Sequence, residues 1–143
     1  MTMEDLMQAY ADTVQAVAAS VADVYDGEWG DRQWRRIVVN HESLLHTKEP
    51  QISTIAFAIA TQPGGKPEQV NFRLSDEAEN GFERIAEMLH KQKGQYWTVC
   101  NLTIESDGSY KFDFSYDEPY RLSGHLNDKR FDDYLQGYLA GKH

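Results

Sequence analysis

At 143 residues and 41% apolar composition, the chain is long enough for one domain with its own core and too short for two, so a single domain over 1–143 is expected. Its formal net charge of -9, from 23 acids against 14 Lys and Arg, disfavours nucleic acids and anionic membranes as partners, because contacts to both require cations. The lone Cys100 excludes an intramolecular disulfide and a cysteine-based zinc framework, which fits a reducing compartment.

The acids are unevenly spread. Residues 1–31 carry Glu4, Asp5, Asp12, Asp23, Asp26, Glu28 and Asp31 and no Lys or Arg. In the same segment Met3, Leu6, Met7, Tyr10, Val14, Val17, Ala18, Val21 and Tyr25 recur at helical spacing, predicting an amphipathic helix whose acids lie mainly off the apolar stripe. Gly27 and Gly30 close that region. The N-terminus reads as neither a positive leader nor an apolar run near the ~20 residues of a membrane span, so a cytoplasmic location is expected.

From 34–40, 51–61 and 69–74 the pattern changes to β-branched and alternating residues, predicting three strands. Ile55, Phe57 and Ile59 share one face of the second; Val70, Phe72 and Leu74 share one face of the third. Between them, QPGGKP at 62–67 reads as a hairpin connection, since it lacks the spacing and following helix of a phosphate-binding loop. Ser75 then caps a second helix that opens on Asp76 and Glu77, buries Phe82, Ile85, Ala86 and Leu89, and stops at Gly94.

The segment WTVCNLTIESDGSYKFDFSYDEPY, residues 97–120, predicts a hairpin. A three-residue loop, Ser106-Asp107-Gly108, pairs Ile104 with Tyr110, Leu102 with Phe112, Cys100 with Phe114 and Thr98 with Tyr116, which aligns every core candidate. The opposite face then carries Thr103 with Lys111, Asn101 with Asp113, Val99 with Ser115 and Trp97 with Asp117. An aromatic beside carboxylates suits recognition of a cationic partner, and Tyr116, Glu118, Tyr120 and Arg121 extend this surface into the following loop. A last helix is expected from about Asp128 to Ala140, on the spacing of Phe131, Tyr134, Leu135, Tyr138 and Leu139. The order of elements predicts an α+β fold: a mainly antiparallel sheet of about five strands with N-terminal, middle and C-terminal helices packed on it.

Chemistry-bearing patterns are sparse. His41 and His46, five apart, read as surface or capping residues in a loop rather than a zinc pair. Cys100 reads as a small apolar filler of the hairpin core. Ser43 and Ser53 sit in no nucleophile-elbow sequence, and Asp113 with Asp117 lacks the third ligand of a metal site. The expectation is a protein that is not an enzyme, with no metal and no cofactor.

The stretch FERIAEMLHKQKGQYWTVCNLTIESDGSYKFDFSYDEP, residues 82–119, resembles the YezG-like immunity-protein family: a helix, a Gly-Gln-x-Trp entry, a strand rich in Thr and Leu, an Asp-Gly turn, then aromatic alternation ending in Tyr-Asp. Trp34, followed by Ile37, Val38 and Val39, is similar to that family's early Trp-led strand. The resemblance implies a small antitoxin that binds the toxic C-terminal domain of a secreted bacterial toxin, often a nuclease.

On the residues, the expected toxin-binding surface is Trp97, Asp113, Asp117, Glu118 and Tyr120, with Asp5, Asp12 and Asp23 of the first helix as a second candidate. A nuclease domain grips its substrate with Lys and Arg, so the expected partner is cationic. The alternative is a small cytoplasmic regulatory or scaffold domain that binds another protein, or itself, through its sheet. A hydrolase or metal-dependent enzyme built on Asp113 and Asp117 is the weakest of the three readings.

Overall fold

The structure, a computed structural model, describes residues 2–143. Its elements follow the expected order: α1 (Met3–Ala19), β1 (Gln33–Ser43), β2 (Ile52–Thr61), β3 (Glu68–Asn71), α2 (Asp76–Lys93), β4 (Val99–Glu105), β5 (Tyr110–Ser115), a 3-10 turn (Arg121–Ser123) and α3 (Tyr134–Leu139). The five strands form one antiparallel sheet in the order β3-β2-β1-β4-β5. The fold is α+β.

Strand alternation sorts the core into two layers. Ile37 and Val39 of β1, Ala56 and Ala58 of β2, and Cys100, Leu102 and Ile104 of β4 face α1 and α2, where they meet Leu6, Ala9, Val17, Phe82, Ile85 and Leu89. Val38, Phe57 and Ile59 face the other way and are covered by Phe131, Tyr134, Leu135 and Tyr138 of the C-terminal segment. The sheet is therefore a central layer, and α3 lies opposite α1 and α2.

The helix ends follow from local chemistry. Thr2 and Asp5 form a reciprocal capping box at α1. Ser75 caps α2 through Ala78 N–H, and Gly94, at φ 76°, ends it in the left-handed region. The helices approach closely because α2 carries Gly81 where they cross: a Cβ there would lie 2.5 Å from Thr13 Oγ1. Thr13, buried, donates that hydroxyl to Ala9 O within α1.

Three expectations shift. The first helix stops at Ala19 instead of running to Tyr25. There Ser20 Oγ donates to Ala16 O and accepts from Ser75 N–H, tying the end of α1 to the start of α2. The chain then turns so that Val24 bridges Phe72, while Tyr25, Met3 and Met7 stay exposed. The third strand ends at Asn71, with Phe72 continuing as that bridge. The terminal helix begins only at Tyr134, because Asp128 Oδ1 accepts from Arg130 N–H; such a local bond competes with helix formation.

The hairpin register is the expected one from Ile104–Tyr110 through Val99–Ser115. It fails at Thr98 and Trp97. Thr98 N–H and Oγ1–H both donate to Ser115 O, and the alternation breaks before β4 begins. Trp97 consequently turns onto the helix face, 1% exposed, against Phe114 and His41.

Among the described residues no helix is long and apolar enough to cross a membrane.

Candidate functional site

Outer-facing positions of β1 and β4 are polar toward one end of the sheet: Asn40 and Glu42 on β1, Asn101 on β4. Asn40 Nδ2 donates to Asn101 Oδ1 at 2.7 Å, joining the strands by their side chains. Glu42 is fully enclosed, because the chain after β5 folds back over it. Its carboxylate accepts the backbone N–H of Arg121 at 3.2 Å and of Leu122 at 3.0 Å, which anchors the 3-10 turn.

A buried carboxylate is costly without a counter-charge. Arg121, 7% exposed, supplies one: its Nη1 lies 3.5 Å from Glu42 Oε2 and 2.9 Å from Asp128 Oδ2. The remaining guanidinium protons go to Asn40 Oδ1, Asn40 O, Ser53 Oγ and Ser53 O, at 2.7 to 3.0 Å. Arg130 adds a second cation, 2.7 Å from Asp128 Oδ2 and 3.6 Å from Glu42 Oε2, with its guanidinium 4.0 Å over the Tyr120 ring. Hydrogen bonds from Arg130 and Arg121 hold the Asp128 carboxyl far below the usual carboxylate range. Two acids and two arginines thus balance in formal charge, with Glu42, Arg121 and the Asp128 carboxylate enclosed and Arg130 partly exposed above them.

Above this network opens a cleft of about 460 Å³, walled by Asn101 and Ser115 on one side and Tyr120, His125 and Arg130 on the other. Asp117 and Glu118 stand on its rim, exposed. Among the described residues neither has an ion-pair partner within 4.0 Å. The cleft therefore sets two unpaired rim carboxylates beside one accessible guanidinium, Arg130, that is itself paired with Asp128 and Glu42.

The expected site residues separate accordingly. Asp117, Glu118 and Tyr120 come together at this cleft. Asp113 points outward from β5 into a neighbouring hollow, 3.6 Å from Lys111. Trp97 does not join them: the assignment of Trp97 to an exposed face is corrected, since the strand irregularity at Thr98 buries it in the core. Arg121, read as an exposed extension of the surface, is instead the buried centre of the ion network. Glu42, Asn40, Asp128 and Arg130 had no place in the sequence reading; the signal available was a β1 face reading Val38, Asn40, Glu42, which polar alternation makes look solvated.

On the second candidate surface each acid is engaged. Asp5 closes the capping box, and its hydrogen bonds with Thr2 lower its pKa. Asp12 accepts from Gln8 and lies 3.7 Å from Arg84. Asp23, beyond the end of α1, pairs with Arg73 at 3.3 Å.

Of His41 and His46, the second lies exposed in a loop as expected, and the reading of His41 requires correction. His41, expected in a loop, lies in β1 with its ring wholly buried, stacked on Phe82 at 4.8 Å. Its Nδ1 meets Thr54 Oγ1 at 2.9 Å and its Nε2 meets Glu83 Oε1 at 3.2 Å. A histidine-carboxylate pair can serve acid-base chemistry, but the imidazole of this one is enclosed between Phe82 and Trp97. His46 stacks on Tyr96 beside Glu83 and Glu87. Cys100 is buried as expected, and burial raises its thiol pKa well above the ordinary value. Among the described residues no group of three or more His, Cys, Asp or Glu side chains could hold a metal ion.

The chain matches no protein-family model, and no curated protein matches it in sequence.

Proposed function

We propose that this protein is an immunity protein, acting in the cytoplasm, that binds and neutralises the toxic C-terminal domain of a secreted bacterial toxin. The observation that carries the reading is the pair of unpartnered rim carboxylates, Asp117 and Glu118, beside Tyr120 over an electrically balanced network. Its context is the resemblance of residues 82–119 to YezG-like immunity proteins and a net charge of -9.

In this reading the protein performs no chemistry. A basic nuclease domain presents Lys and Arg where nucleic acid would lie. Carboxylates on a preorganised rim steer such a surface into contact and compete with the substrate's phosphates. The Glu42–Arg121–Asp128 network serves this role by fixing residues 116–130 in one conformation before binding, which reduces the ordering cost of association. Tyr120, held under Arg130 and against His125, supplies rigid aromatic contact area at the rim.

The test is co-expression with the C-terminal domain of the large secreted protein encoded immediately upstream, scoring survival and co-purification. Survival with a one-to-one complex is expected. Persistent toxicity with no complex overturns the reading and favours the regulatory or scaffold alternative.

A further inference from the structure

The two edges of the sheet are finished differently. At the β3 edge the segment Asp23 to Tyr25 covers the C-terminal end: Val24 bridges Phe72, Tyr25 N–H donates to Asn71 O, and Arg73 N–H donates to Asp23 O. At β5, among the described residues, no segment pairs alongside. Among the described residues no backbone N–H or C=O of Tyr110, Phe112 or Phe114 bonds outside the β4–β5 ladder.

The ladder fixes which groups are open. Glu105 N–H donates to Ser109 O, so Glu105–Ser109 is a hydrogen-bonded pair, and by alternation Lys111 and Asp113 direct their backbone groups at β4. Tyr110, Phe112 and Phe114 therefore present theirs outward. Their rings, on the helix face, are only half-buried. Unprotected edges of this kind pair with other strands.

We propose that the protein forms a two-fold dimer by antiparallel pairing of β5 with β5 of a second copy, centred on Phe112, which joins two five-stranded sheets into one. The charges select both the occupant and the register. With Phe112 opposite its own copy, Lys111 of each strand faces Asp113 of the other, and Tyr110 faces Phe114. The three outward-facing residues of each strand then bond to one another along the whole edge. Sliding by two residues sets Lys111 against Lys111, or Asp113 against Asp113, and like charges directly opposite are destabilising. Sliding by one sets aromatic positions against charged ones across the two faces. Lys111 and Asp113, 76% and 61% exposed in the single chain, become a four-member array of alternating sign.

This inference is independent of the toxin reading, because its readout is the oligomeric state of the isolated protein. Sedimentation up to roughly 100 µM, a range in which a weak contact is still populated, should show a dimer. Lys111→Asp or Asp113→Lys alone should weaken it about tenfold, by removing two cross-strand pairs and adding two repulsions. The double variant K111D/D113K, which restores opposite charges in the same register, should recover it. A monomeric wild type, single variants that dimerise normally, or a double variant as weak as the singles would each overturn the proposal. Hydrogen exchange gives a reading that needs no variant: the amides of Tyr110, Phe112 and Phe114 should lose protection on dilution, and protection independent of concentration would equally refute it.

Discussion

The two faces of the sheet are held by different forces. Toward α1 and α2 the contact is apolar, built from Ile37, Val39, Leu102, Phe82 and Leu89, and its strength scales with area removed from water. Toward the C-terminal segment a small apolar patch, Val38, Phe57 and Ile59, shares the face with a buried network of Glu42, Arg121 and Asp128, capped by the partly exposed Arg130. The first face tolerates loss of a contact in proportion to the atoms lost. The second does not, because removing one charge leaves its partners buried and unpaired.

Arg121→Ala should therefore have the largest effect, about 3–5 kcal/mol of stability, since Glu42 and Asp128 would lose their buried cation. Urea unfolding measures it. The double variant Glu42→Gln with Arg121→Met should recover part of that loss, by removing both charges together. A single variant costing no more than removal of its hydrogen bonds would show that water or Arg130 takes over the neutralisation.

On the helix face the sharpest position is Gly81. Gly81→Ala gains helix propensity but places a methyl against Thr13, for a net loss of about 1–2 kcal/mol. Thr13 cannot easily move aside, because its hydroxyl is committed to Ala9 O. In a Thr13→Ala background, which removes Oγ1 and Cγ2 and leaves only Cβ at 3.1 Å, the same change should cost less, and a double-mutant cycle by thermal unfolding reads that coupling directly.

Acid should separate the faces without any mutation. The folded-state pKa of Asp128 is depressed, so its stabilising contribution is complete above the ordinary carboxylate value of about 4. It is lost as pH falls from there through the folded-state value. Asp128→Asn should lower stability at neutral pH and flatten the decline below pH ~4, because that carboxylate no longer takes up a proton on unfolding. Apolar contacts on the helix face have no such dependence. Unfolding free energy against pH for both proteins checks the difference in slope.

The same contrast explains what the sequence could convey. The helix face was legible because its spacing is its mechanism: Phe82, Ile85 and Leu89 recur at helical intervals, and Leu102 pairs with Phe112 only if the turn is three residues long. The outer face was not, because it is assembled from residues far apart in sequence. Nothing near Glu42 announces Arg121, and nothing near Asp128 announces the turn that shortens α3. Trp97 failed for a local reason, a break in alternation at Thr98 that a strict period of two does not anticipate. Of the expected site, Asp117, Glu118 and Tyr120 were placed together by one loop, while Trp97 depended on a strand that begins two residues later.

The smallest expected effect on stability is the most informative for function. Asp117 and Glu118 are exposed and touch none of the buried charges, so Asp117→Lys with Glu118→Lys should leave the unfolding midpoint unchanged. Binding to a cationic toxin domain should weaken, with a slower association rate and a shallower dependence of that rate on salt, since steering acts through exposed charges within a Debye length of about 8–10 Å. The parallel variant at Asp12 and Asp23 should change binding less, because Arg84 and Arg73 already neutralise those acids in the free protein. Stopped-flow association at several ionic strengths distinguishes the two surfaces. A larger loss at Asp12 and Asp23 would move the partner from the outer face of the sheet to the helices, and with it the reason for holding residues 116–130 so firmly.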